Sequence, residues 1–385
     1  MITFEDVVKV YPGGSTAVDH LSLELPTGKT TVLVGPSGCG KTTSLRMINR
    51  MVSPTSGRVL IDGKDVAGQD EALLRRNIGY VIQSAGLFPH RTVLDNVATV
   101  PLLLGRSKKQ ARADALGLLE RVGLSGEFAK RYPAQLSGGQ QQRVGVARAL
   151  AADPPIMVMD EPFSAVDPVV REGLHREFLR LQQDLGKTIA LVTHDIDEAV
   201  KLGDVVAVFR QGGKLAQVGT PRELLEHPAD EFVAEFVGRD RGLRSLSFDT
   251  ATDLPVRPLG DTAGNDLVLD GSGRPQGWRT GRGTVATGGT FSRADSLRLV
   301  TDLAIGSPVG IAVRVGADGA ADGLVHHHDL VDFLAERRRR EAATAVAGGT
   351  AAGPGTASGP GTSSAGAVRE GASPAEEPRA VERTE

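Results

Sequence analysis

The chain has 385 residues, enough for one sizeable core and a smaller companion, and its formal net charge of −3 gives no global argument for nucleic acid or an anionic membrane surface as partner. Cys39 is the only cysteine, which excludes an internal disulfide and fits a reducing compartment. No run approaches the roughly 18 apolar residues of a spanning helix, and the opening "MITFEDVVKV" lacks the basic and apolar regions of a secretory signal. A soluble, cytoplasmic protein is therefore expected, with any membrane role peripheral.

Composition divides the chain into three regions. Residues 1–238 alternate short β-rich runs with longer helical patterns, which predicts an α/β domain. In "KVYPGG", Tyr11 offers a flat ring that can stack on adenine, or serves only as a turn-flanking core aromatic. "TTVLVG" (30–35) is a buried strand running into "GPSGCGKTT" (35–43), and "SLRMINRM" then reads as a helix. This is the P-loop pattern in its strand–loop–helix context. In the loop Gly35, Pro36, Ser37, Gly38, Cys39 and Gly40, the glycines would let backbone N–H groups, which every loop residue but Pro36 carries, turn inward around phosphates, backed by the positive end of the helix dipole. Lys41 is placed to reach the β- and γ-phosphates and Thr42 to ligate Mg²⁺ and close the motif, with Thr43 next to it as a further nucleotide-binding residue. A bare glycine turn would explain the glycines but not Lys followed by Thr.

"NIGYVIQ" (77–83) is a second buried strand, ending at Gln83, a neutral donor and acceptor able to orient water or sense Mg²⁺. Leu87 and Phe88 follow in "QSAGLFPHRTVLDNV", either packed into the local core or left for a partner. In "QLSGGQQQR" (135–143), apolar residues recur at Val144, Ala147 and Ala151 beside Leu150, so a helix begins there. Ser137 takes the N-cap position, and Gly138 and Gly139, followed by Gln140, leave the helix start open to an anion. "PIMVMDEP" (155–162) is a third strand. Asp160 emerges at its end, where it can hold the metal through water, and Glu161 next to it can act as general base. "TIALVTHD" (188–195) is a fourth, with His194 positioned for the γ-phosphate, and "DVVAVFRQGGKLAQVG" reads as a hairpin turning at Gly212-Gly213. Two anion-binding helix starts accompany a single P-loop. Two chains packed head to tail resolve that mismatch, each offering Ser137–Gln140 to the ATP on the other.

In this order, Tyr11, "GPSGCGKTT", Gln83, "LSGGQ", "IMVMDEP", "FSAVDP" and His194 resemble the nucleotide-binding subunit of an ABC transporter over residues 1–238. The resemblance implies a RecA-like core with an antiparallel β subdomain and a helical subdomain, and a dimer that closes on two ATP and reopens after hydrolysis. It also implies two integral-membrane permease subunits and, indirectly, a substrate-binding protein. Asp167 matches the position that communicates between the two sites, and Leu87 and Phe88 lie where the family docks a short helix of the membrane subunit. The DNA-repair and chromosome relatives carry coiled coils or zinc modules, absent here, and the translation type carries two such domains. "GLFPHRT" and "FVGRDRGL" (236–243) resemble importers of quaternary-amine osmoprotectants such as glycine betaine, choline, carnitine and proline. The rival readings are an importer of another small solute, such as an amino acid or polyamine, and a soluble mechanical ATPase.

Residues 239–335 are rich in Gly and Asp and carry the only Trp, Trp278. "LVLDGSGRPQGW" (267–278) and "SPVGIAVRVGADGAADGLVHHHDLVDFL" (307–334) each read as strand, Asp/Gly turn, strand, the second leading into a helix. They resemble a degenerate cystathionine-β-synthase-type (CBS) pair of α+β character, regulatory or merely structural. Asp329 falls at the ribose position of such modules, but His326 replaces the usual Thr. "HHH" (326–328) reads as strand, whose alternating faces make a poor metal cluster. Residues 336–385 are expected to hold the basic end of a helix at "RRRR" (337–340) and then a Gly/Ala/Pro-rich disordered tail.

Overall fold

The computed structural model describes residues 1–349 other than 84–85, 165 and 281–282. The tail expected beyond 349 lies outside the described residues. Residues 1–327 form one compact unit, and His328 opens a second.

In chain order the strands are β1 (Ile2–Val10), β2 (Thr16–Leu25), β3 (Thr30–Val34), β4 (Ser56–Ile61), β5 (Lys64–Asp65), β6 (Ile78–Val81), β7 (Ile156–Asp160), β8 (Thr188–Thr193), β9 (Val205–Arg210) and β10 (Lys214–Gly219). An antiparallel sheet has the order β2-β1-β4-β5, and a six-stranded sheet the order β10-β9-β3-β8-β7-β6. In the second sheet β9, β3, β8, β7 and β6 are parallel, while β10 closes the edge as the antiparallel arm of the predicted hairpin.

The parallel strands are apolar on both faces because both faces are covered. Leu33, Val158, Ala190 and Val192 pack with Phe4, Leu21 and Leu25 beneath the antiparallel sheet. Their sequence neighbours Val32, Met157, Met159 and Leu191 point the other way, against Leu174 and Phe178. That is the two-residue alternation of a strand. A third cluster joins Val93, Val97, Ala115 and Leu119 to Val144 and Ala147, so the helix Gly138–Leu150 carries a helical layer beside the sheet. All four expected strands thus end on one side of one sheet, with their polar residues at the carboxyl ends.

Residues 239–327 hold β11 (Asp266–Leu269), β12 (Pro275–Thr280) and β13 (Gly283–Val285) in one sheet, and β14 (Thr290–Phe291), β15 (Ile311–Val315) and β16 (Ala321–His326) in another. The two expected strand–turn–strand units are β11–β12 and β15–β16. Trp278 is fully buried against Ile311, Val313 and Leu324, joining the sheets. Arg222 ties the region back to the first part of the chain, donating to Asp249 at 2.7 Å and lying over the Phe248 ring.

Two expectations near the end need correction. "RRRR" does not end a helix: one helix runs from His327 to Gly349, through the cluster and into the Ala-rich start of the tract. "HHH" is not one strand either, since β16 ends at His326 and the helix begins at His327. Ala, Glu and Arg are strong helix formers, so "AERRRREAATAV" propagates a helix that the run of like charge suggested would stop.

Candidate functional site

The phosphate loop is shaped by what packs on it. β3 is buried at every position and delivers the chain to Gly35. A Cβ on Gly35 would lie 2.3 Å from the Phe209 carbonyl oxygen, and one on Gly40 only 2.0 Å from that of Ala17. Gly40 also has φ +94°, so glycine is required both for conformation and for the close approach of β2. No side chain caps the following helix, Lys41–Ile48, so its first amides remain available to an anion. Lys41 is buried, and its ammonium donates to the carbonyls of Gly35 at 2.7 Å and Pro36 at 2.9 Å. Burial pushes the Cys39 thiol up, against the opposing pull of Lys41. The backbone of Ser37 accepts from Gln211 at 3.1 Å, which braces the loop against the β9–β10 turn.

The carboxyl end of β7 stands over this loop. Asp160, 6 % exposed, accepts a hydrogen bond from the Thr42 hydroxyl at 2.8 Å, and Arg46 lies 3.5 Å from its other oxygen. Two oxygens of different elements are thus brought together by β7 and the start of the P-loop helix. The next residue, Glu161, has φ +46°, a left-handed conformation rare outside glycine. Its amide donates to Val192 on β8 and its carbonyl accepts from the Ser164 hydroxyl, which hold it there. Such a conformation costs on the order of 1–3 kcal/mol and persists where surrounding bonds over-determine it.

The carboxylate of Glu161 lies between two other strand ends. Gln83, just beyond β6, donates through Nε2 to Glu161 Oε2 at 3.2 Å, and His194, just beyond β8, places Nδ1 3.2 Å from Glu161 Oε1. The fold thus brings together Gln83, Asp160, Glu161 and His194 from three strands. Chemically, that set can hold a water between a carboxylate base and two polar groups that orient it.

Ser137 caps the helix Gly138–Leu150 as expected, but with a refinement. Its hydroxyl accepts from the Gln140 amide at 3.3 Å, and Gln140 Oε1 accepts from the Ser137 amide at 3.0 Å. This capping box satisfies two orphan donors reciprocally, leaving the amides of Gly138 and Gly139 as the open ones. Ser137 and Gly138 are exposed. Asp167 is exposed as well, one residue before the helix Pro168–Leu185. Tyr11 is 39 % exposed, at the turn joining β1 to β2. Since Ala17 of β2 is what contacts Gly40, that turn and the phosphate loop belong to one packed corner.

The alternatives at Leu87 and Phe88 separate. Leu87 packs partly against the helical cluster, while Phe88 is 40 % exposed under the guanidinium of Arg91. Asn96, fully buried, fixes this segment by accepting from the Phe88 amide and donating to three backbone carbonyls. In the later region His326 is buried and bonded through Nε2 to the Asp261 carbonyl, which makes it a structural residue of β16.

Several participants carried no sequence signal. Arg46 beside Asp160 looks like any helix cation. Arg148 donates to the Gly86 carbonyl, tying the Ser137-capped helix to the segment after Gln83, and partial desolvation there holds its pKa below the usual arginine value. Thr193 and Glu198 looked like an ordinary strand residue and a first-turn carboxylate.

Comparison with known proteins gives a consistent picture. A family profile described as "ABC transporter" matches residues 18–164. The osmoprotectant import ATP-binding protein OsmV of Salmonella typhimurium is 44% identical over 356 residues, covering 85% of this chain and 93% of that protein. The choline transport ATP-binding protein OpuBA of Bacillus subtilis is 51% identical over 249 residues, 65% of each chain. Among solved structures, the dimeric post-hydrolysis state of the ATP-binding cassette MJ0796, bound to ADP and Pi, superposes with TM-score 0.53 at 35% identity, covering 57% of this chain and 99% of that one.

Proposed function

Since the chain belongs to the ATP-binding proteins of the ABC transporter family, we propose that it is the ATP-hydrolysing subunit of an importer of quaternary-amine osmoprotectants. The cargo class is glycine betaine, choline, carnitine or proline. The observation that carries this reading is the reach of the similarity to OsmV. It extends over 85% of this chain, well past the phosphate site and into residues 239–335. The described residues include no helix long and apolar enough to cross a membrane. Residues 1–238 are therefore read as the motor, acting as a peripheral subunit on the cytoplasmic face with two integral-membrane permease subunits and an external binding protein. Residues 239–335 are read as a degenerate CBS-like pair.

Within the motor, Gly35–Thr43 hold the phosphates of ATP, and Tyr11 stacks on the adenine. The uncapped amides after Gly40 and the glycine-only contacts fit an anion pressed against main chain. Glu161 is the general base, with Gln83 and His194 orienting the water, and Asp167 communicates between sites. The hard oxygens of Thr42 and Asp160, together with Gln83, fit Mg²⁺, which takes few protein ligands alongside substrate phosphates. When bound, Mg²⁺ would neutralise phosphate charge. Ser137–Gln140 face the ATP held by a second copy, arranged head to tail.

The test is reconstitution of the full chain with its permease subunits and binding protein in vesicles, following ATP turnover. Stimulation by a quaternary amine is expected. Stimulation by an amino acid or polyamine alone would replace the cargo class, and turnover indifferent to the permease subunits would support the soluble mechanical ATPase. Ser137→Arg should abolish cooperative turnover while a single chain still binds ATP.

A further inference from the structure

Behind the phosphate site lies a buried charged cluster that none of the motifs accounts for. Glu198, 4 % exposed, projects from the helix Ile196–Leu202. Its Oε2 accepts from the Thr193 hydroxyl at 2.7 Å. The same hydroxyl oxygen accepts from the Asp195 amide at 3.0 Å. One side chain therefore clasps the backbone on both sides of His194. Because the Thr193 proton is committed to Glu198, the lone pairs are left facing the amide.

The other oxygen of Glu198 looks toward the helix Pro168–Leu185. His175 Nε2 is 3.5 Å away and Arg171 Nη1 3.9 Å. Arg171 Nη1 also lies 3.8 Å from Asp195, while Nη2 donates to the Val166 carbonyl at 3.1 Å. The His175 ring stands edge-on to Phe163 with centroids 4.7 Å apart. A single carboxylate thus touches the turn after β8, which presents His194, and through Arg171 and the His175 ring it reaches Val166 and Phe163 in the segment after β7, which begins at Glu161.

A charge this deeply buried is costly unless opposing charges and hydrogen bonds compensate it, and an apolar side chain would fill the same volume. What the carboxylate adds is direction, because charge-assisted hydrogen bonds fix the groups they join. We infer that Glu198 and Thr193 are positioning residues for ATP hydrolysis. They hold the His194 turn at its distance from Glu161 and couple that turn to Phe163 and Val166. Neither needs to touch nucleotide. The inference rests on the reading of Glu161 as general base.

The test uses the full-length chain, measuring kcat and KM for MgATP and the Kd of a nonhydrolysable ATP analogue. Thr193→Val keeps the side-chain volume and deletes the hydroxyl. It is expected to lower kcat on the order of ten- to a hundredfold, as for sub-ångström misplacement of a reacting group, with KM and analogue affinity within about twofold. Thr193→Ser restores the hydroxyl and should return kcat to within about threefold of the parent. Glu198→Gln keeps the shape but removes the charge, and its effect should not add to that of Thr193→Val. A Thr193→Val kcat equal to that of the parent, or a Thr193→Ser loss as large as that of Thr193→Val, overturns the inference. Glu161→Gln is run alongside. If it turns over ATP normally, the base assignment fails and the inference with it. If it is inactive while Thr193→Val is normal, only the inference fails.

Discussion

The phosphate corner and the region around Trp278 are built from the same material, short strands with alternating faces, yet they use burial in opposite ways. At the ends of β3, β7 and β8 the buried groups include Lys41, Asp160, Thr193 and Glu198, each tied to a partner on another element. One residue there, Glu161, is held in a left-handed backbone conformation. The residues packed on Trp278 are apolar, Ile311, Val313 and Leu324, while the buried polar groups nearby, Arg314 and His326, are paired with Asp322 and the Asp261 carbonyl. The indole N–H of Trp278 has no hydrogen-bond partner among the described residues. The first region accepts strain and desolvation to place polar atoms, whereas the second buries apolar area to hold two sheets together. A site for chemistry and a site for cohesion are thereby distinguished without reference to any motif.

That contrast can be broken most severely at Glu161. Glu161→Gln keeps the volume and the Gln83 contact but removes the base, and turnover should fall by about 10²–10⁴-fold while ATP still binds. Steady-state turnover compared with nucleotide affinity checks this, and a parallel loss of both would make Glu161 a structural residue like Trp278. Next in size is Trp278→Ala, expected to cost about 3–5 kcal/mol of stability in its own region while the ATP turnover of the isolated chain stays within about twofold. Calorimetric melting beside a turnover assay reads both. Trp278→Phe, which deletes the unpaired donor, should be tolerated far better.

For Gly40→Ala the positive φ alone is expected to cost about 1–3 kcal/mol of backbone strain, to which the 2.0 Å approach of the new Cβ to the Ala17 carbonyl adds. Weaker nucleotide affinity with little change in the melting of the Trp278 region would place that strain in the phosphate corner alone.

The smallest effect lies at Asp95. Its partial burial works to raise its pKa, but hydrogen bonds from Arg112 and Thr92, together with the Arg112 charge, outweigh burial and leave it below the ordinary value. A depressed carboxylate stabilises the fold above its unfolded pKa and loses that contribution as pH falls through the folded one. Asp95→Asn should therefore flatten the acid limb of the stability profile and, at a half-buried but solvent-screened pair, cost about 1 kcal/mol or less at neutral pH.

Much of this was legible in the residues. "TTVLVG", "IMVMDEP" and "TIALVTHD" announced buried strands ending in polar residues, because a parallel strand covered on both faces is dominated by apolar and β-branched side chains until it leaves the sheet. The hairpin at Gly212-Gly213 and the N-cap at Ser137 were equally local, set by turn chemistry within a few residues. The full extent of the helix through "RRRR" was missed, because helix propensity outweighed a local charge pattern.

The one-dimensional chain determined that a glycine loop and a helix start would follow β3 and where each strand would stop, since those depend on neighbours in sequence. Only the tertiary structure decided that Gln83 and His194 flank Glu161, that Gly40 must accommodate the carbonyl of Ala17, and that Glu198 joins two loops. Those contacts span long stretches of chain and arise from the order in which parallel strands lie side by side, which no local pattern encodes.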